Sequence, residues 1–225
     1  MRHNRFFRKL GSLFPAYVLW TFAAMAASQI VCYYLTRLFL PHMTLHLLTG
    51  PLDARIPFVP AWVTVYLLSF PFWIGTGLAV LTESKSHACR LGPAYVLAMA
   101  VSTVIFLVYP GTLERPEVTG SGVFQWLMRL VYRLDPPNNL CPSLHVLVTY
   151  FCWRGTLGCR KIPGWYKVFS LAFTVLVCCS VVLVKQHALV DIPAGILVGE
   201  AALQCARILR LERIPYALER NYTGE

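Results

Sequence analysis

The chain has 225 residues, of which 57% are hydrophobic and 13% charged, with a formal net charge of +10. Mean hydropathy is +0.58 and an average soluble domain is about 25% charged, so a soluble globular class is excluded and an all-α integral membrane protein is expected. The basic surplus does not point to nucleic acid, because Lys and Arg stand in short clusters between apolar runs.

A membrane-crossing helix needs about 20 apolar residues. The first apolar run covers residues 13–40 and follows a basic cluster of Arg2, Arg5, Arg8 and Lys9. That start, with Ala24-Met25-Ala26, also fits a signal peptide. Further runs cover residues 59–81, 91–109, 140–153, 168–184 and 188–208. The fourth is short and extends to residue 157 if Arg154 snorkels to the headgroups. Together these predict a bundle of six transmembrane helices forming a single membrane-embedded domain over residues 1–225. With the N-terminus inside, most of the 20 Lys and Arg residues fall on the cytoplasmic side, and Arg37, Arg55, Arg115, Arg129, Arg133 and Lys185 fall outside. Both termini are then basic cytoplasmic tails. A compact chain with such a start suits a bacterial plasma membrane; in a eukaryotic endomembrane the outer face would be luminal.

Three polar segments meet at the outer, extracytoplasmic face in this topology: residues 109–116, 139–145 and 185–191. His187 and Asp191 are four apart, so at a helix start they share a face. A carboxylate there fixes the imidazole tautomer and leaves the other nitrogen free to attack. Taken alone, the pair serves equally as a structural hydrogen bond. Pro142-Ser143-Leu144-His145 reads as a helix start whose free N–H groups bind phosphate. Ser143 adds a hydroxyl donor, and His145 is placed to protonate a leaving oxygen. Alone, this is also simply a capped helix with an interfacial histidine. Arg115 and Lys185 offer cations for a phosphate, or else snorkel to headgroups.

As a set, Arg115-Pro116, Pro142-Ser143-Leu144-His145 and Ser180 with His187 and Asp191 resemble the type 2 phosphatidic acid phosphatase superfamily. This superfamily also includes vanadium haloperoxidases and sphingolipid synthases. The likeness covers residues 52–195. Leu144 stands where the family has glycine, Val108 where its main branch has lysine, and Val181 where it has arginine. Pro-Ser-Leu-His and Lys-Gln-His are similar to the branch of inositol phosphorylceramide synthases and certain bacterial lipid phosphatases. The resemblance implies that His187 forms a phosphohistidine, Asp191 orients it, and His145 protonates the leaving group. It further implies that Arg115, Lys185, Ser143 and Asn139 hold the phosphate, with no metal and no cofactor.

The expected activity is hydrolysis of a lipid phosphate monoester or diphosphate. The alternatives are transfer of a phospho-headgroup to a lipid alcohol, and a non-catalytic lipid-binding protein or transporter. The expected partners are the lipid phosphate and the membrane, and no oligomeric state is indicated. His42 and His46 have metal-ligand spacing but no evident third ligand. Gly195 and Gly199 predict close helix packing, Pro193 a kink, and Glu200 a hydrogen bond inside the bundle. The aromatic residues Trp62, Tyr66, Phe70, Phe72 and Trp73 suit bundle packing or a lipid groove. The eight cysteines are expected to be small buried hydrophobes.

Overall fold

The computed structural model describes residues 14–223. The basic cluster at residues 2–9 and the side chain of Arg220 lie outside the described residues. The long helices are α1 (Ala16–Phe39), then, after the short α2 (Pro51–Arg55), α3 (Val63–Leu81) and α4 (Lys85–Val108). Beyond α5 (Val123–Leu134) come α6 (Leu144–Leu157), α7 (Gly164–Leu183), α8 (Asp191–Ile208) and α9 (Arg213–Thr223). Two-residue strands β1 (His46–Leu47) and β2 (Gly111–Thr112) pair in parallel.

Among the described residues, four helical segments are long and apolar enough to cross a membrane: Ala16–Phe39, Pro60–Leu81, Lys85–Val108 and Gly164–Leu183. Large apolar side chains on α1 and α7 face outward, among them Trp20, Ile30, Leu38, Trp165 and Val168, as a lipid-facing surface requires. The other two expected spans differ. Helix α6 has 14 residues, about 21 Å at 1.5 Å per residue, against a hydrocarbon core of about 30 Å. Helix α8 carries Asp191, Glu200 and Arg207.

Their packing explains the difference. Helix α6 sits between α3, α7 and α8, and residues 144–152 are buried without a break. A helix apolar all round suits an interior surrounded by other helices. Helix α8 closes against α4 and α6. On its Glu200, Arg154 places Nε 2.9 Å from Oε2 and Nη2 3.1 Å from Oε1, and Tyr150 and Gln204 also donate to it. Arg154 and Glu200 therefore form a partly exposed ion pair that ties α6 to α8. The close approach of α8 to α6 depends on Gly195, where a Cβ would come within 2.9 Å of the Ser143 carbonyl oxygen.

Several local expectations need correction. Helix α8 begins at Asp191, so His187 lies in the turn before it. Pro193 is consequently in the first turn, where its missing N–H breaks no bond, and it does not interrupt the helix. Helix α6 begins at Leu144 with Ser143 as its N-cap, so Pro142 precedes the helix. Helix α4 starts at Lys85, earlier than its apolar run, because Ser84 caps it by accepting the His87 N–H. The connection between α4 and α6 contains amphipathic α5, which the apolar runs did not reveal.

The hydrogen bonds gather six helix ends at one end of the bundle. Strand pairing joins the chain after α1 to the chain after α4. The Val59 N–H donates to the Leu183 carbonyl, tying the entry to α3 to the end of α7. The Ser143 N–H donates to the Asp191 carbonyl, tying the starts of α6 and α8.

Candidate active site

His187 stands in this end, 8% exposed, with Asp191 fully buried beside it. Its Nδ1 lies 3.0 Å from the Leu140 carbonyl oxygen and 3.1 Å from Asp191 Oδ2. Both partners only accept, so a proton sits on Nδ1, and in the neutral ring Nε2 keeps its lone pair. Asp191 Oδ2 also accepts the Ala188 N–H at 2.9 Å, so one carboxylate oxygen shapes the turn and orients the ring. The carboxylate and the turn thus do what a shared helix face was expected to do.

His145 is on the first turn of α6, its ring centroid 6.1 Å from that of His187. It lies flat against Tyr66, with centroids 4.1 Å apart, and meets Phe70 and Trp73 at 5.5 and 5.0 Å. Trp73 is itself fixed by donating Nε1–H to Thr149 Oγ1 at 2.7 Å. Among the described residues the Nε2 of His145 has no hydrogen-bond partner. Aromatic walls therefore hold this imidazole without consuming that nitrogen.

Both histidines line one cavity of about 790 Å³. Its polar end is shared by Asp135, Asn138, Asn139 and Gln186. From there it continues between apolar side chains of α1, α3, α4 and α6 as far as Leu81 at the other end of α3. The 15 residue-to-residue steps from Tyr66 to Leu81 on α3 correspond to about 22 Å of helix.

The four residues expected to hold phosphate are engaged elsewhere to different degrees. Arg115 donates through Nη1 to the Asp135 carbonyl at 2.8 Å and through Nη2 to Gln186 Oε1, with its guanidinium 4.4 Å from the Tyr132 ring centroid. Burial lowers its affinity for a proton, and the nearby Asp135 carboxylate opposes that. Lys185, with a left-handed φ of 52°, donates Nζ to the carbonyls of Asp53 and Ile56 at 2.9 and 2.7 Å. Its ammonium thereby caps the end of α2, and Lys185 does not line the cavity. Ser143 Oγ accepts the Val146 N–H, and the Ser143 N–H is spent on Asp191. Asn139 does line the cavity, but its Nδ2 donates to Thr36 Oγ1 at 2.7 Å and to the Tyr33 carbonyl at 3.3 Å. Ser180 donates back to Val177 within α7, and Val181 is fully buried.

Asp135 was not singled out by its sequence position. Its two carboxylate oxygens accept from Tyr33 at 2.6 Å and from Tyr66 at 2.9 Å. Neighbouring Cys141 keeps its proton: burial first, then the Asp191 carboxylate, push its thiol up to about 11. Tyr66, Phe70 and Trp73 line the cavity, and Phe72 packs against Phe173. His46 stacks on Tyr109, with ring centroids 4.2 Å apart.

No protein-family model, curated protein or solved structure matches this chain.

Proposed function

We propose that the protein is a membrane enzyme that cleaves a lipid phosphate ester through a phosphohistidine on His187. The observation that carries this reading is the fixed tautomer of His187, with Nε2 free and His145 in the same cavity. In the proposed cycle Nε2 attacks phosphorus, and the imidazolium that forms is stabilised by Asp191. As the phosphate anion enters, His145 takes up a proton, delivers it to the departing lipid alkoxide, and then takes one from the incoming oxygen. When that oxygen belongs to water, the reaction is hydrolysis. The lipid tail occupies the apolar length of the cavity, so the ester can be processed without leaving the bilayer. In this account α6 and α8 complete a six-span bundle, the termini are cytoplasmic, and the site opens at the extracytoplasmic face.

A second reading keeps the first half-reaction and passes the phosphoryl group to a lipid alcohol. It is favoured by the long apolar wall beside His145, which admits an aliphatic acceptor as readily as a donor. The test is purified protein with labelled phospholipid, with and without acceptor alcohol. Water-soluble labelled product without acceptor supports hydrolysis, whereas label that moves only to the acceptor supports transfer. Absence of both, in a protein that still binds lipid, supports a non-catalytic role.

A further inference from the structure

A site for phosphate esters ordinarily surrounds the anion with cations. Here the balance is reversed. Among the described residues lining the main cavity, Asp135 is the only Asp, Glu, Lys or Arg. Arg115 sits behind it, on its main-chain carbonyl, and Lys185 is turned to the end of α2. Arg37 reaches Asp135 only through Tyr33, donating to that phenol oxygen at 3.0 Å. No side-chain ion pair is formed to Asp135 among the described residues.

A carboxylate offers about four acceptor positions, and the phenols of Tyr33 and Tyr66 use two. The tyrosines fix the group without neutralising it. Their rings also line the cavity, beside Tyr34, and aromatic faces attract cations. A phosphate monoester would bring up to two negative charges to a cavity whose lining offers the Asp135 carboxylate, with the Arg115 guanidinium held behind it. A zwitterionic phosphodiester brings one, and places its own cation where Asp135 stands.

We infer that the substrate is a lipid phosphodiester with an ammonium-bearing headgroup, and that Asp135, held by Tyr33 and Tyr66, receives the ammonium. This rests on the proposed reading of His187. The bond from phosphorus to the lipid oxygen breaks as the bond from phosphorus to His187 Nε2 forms, and the proton on the lipid alcohol comes from His145. The phospho-headgroup then leaves Nε2 for water or an acceptor alcohol, whose proton returns to His145.

The test is binding to full-length His187→Asn protein in detergent micelles, which separates recognition from chemistry. The probes are phosphatidylethanolamine, phosphatidylglycerol and phosphatidic acid with identical tails. The ethanolamine lipid is expected to bind about tenfold more tightly than the other two, the size of one charge-assisted contact. Asp135→Asn is expected to bring the three to parity. Tyr33→Phe, which keeps the charge, is expected to retain the order. Equal or tighter binding of phosphatidic acid or phosphatidylglycerol overturns the inference, as does a preference that survives in Asp135→Asn. If the ethanolamine lipid is preferred but wild-type protein never turns it over, the phosphohistidine reading fails while the recognition by Asp135 stands.

Discussion

His187 Nδ1 and Asp191 Oδ2 are 3.1 Å apart, and the same carboxylate oxygen accepts the Ala188 N–H at 2.9 Å. Asp191 thus has two separable duties, folding the turn and presenting the ring. Asp191→Asn leaves the side chain the right shape but supplies a weaker partner for an imidazolium. Turnover is expected to fall at least about 100-fold, with a smaller change in lipid binding. Steady-state kinetics on a lipid panel, read as kcat against KM, check this.

Among the described residues His145 has no partner at Nε2, and its ring is packed between Tyr66 and Trp73. His145→Gln removes the proton donor while keeping a polar side chain. The rate on lipids with poor leaving groups is expected to drop by about 10²–10⁴. An ester with a good leaving group, such as nitrophenol, needs no proton and should lose far less. Equal losses on the two esters would remove His145 from the acid role.

The groove predicts chain-length selectivity. Gly77 lines the cavity, and a Cβ there would stand 3.5 Å from the Phe22 ring. Gly77→Leu therefore fills the groove below the polar end. Turnover of long-chain lipid is expected to fall about tenfold or more, as expected from lost pocket space, with short-chain analogues nearly unaffected. Comparing rates across a tail-length series gives the result.

Gly195 is a stability prediction. Because its missing Cβ would lie 2.9 Å from the Ser143 carbonyl, 3.3 Å from Val146 Cβ and 3.4 Å from the Leu147 nitrogen, Gly195→Ala forces α8 away from α6. The expected cost is about 1–3 kcal/mol, read as a lower thermal midpoint in detergent. Activity should fall as well, since Ser143 and Asp191 join the two helix starts.

The proposed cycle runs on His187, Asp191 and His145 side chains, so incubation with EDTA is expected to leave the rate unchanged. Loss of activity that is restored by a divalent cation would require a different chemistry.

The residues that sequence reading located are those whose relationships are local. His187 and Asp191 are four apart, and their contact forms even though a turn, not a helix, brings it about. Asp135 stayed hidden because its partners are Tyr33 and Tyr66, 102 and 69 residues away, and no periodicity encodes such a meeting. Arg115 was legible as a residue but not in its direction, which depends on the carbonyl at the end of α5. Helix α6 looked like a weak span because composition registers burial without distinguishing lipid from protein. Helix α5 was missed because Arg129 and Arg133 interrupt its apolar positions, so it shows as an amphipathic pattern and not as a run.

The central claim is covalent attachment of phosphorus to His187. It is tested most directly by mixing wild-type protein with phospholipid, quenching under alkaline conditions, and mapping modified peptides by mass spectrometry. The account predicts a phosphoryl or phospho-headgroup adduct on His187 that is absent in His187→Ala and that accumulates in His145→Gln when a nitrophenyl ester, whose departure needs no proton, replaces the phospholipid. Turnover without any adduct, or turnover that persists in His187→Ala, would contradict it.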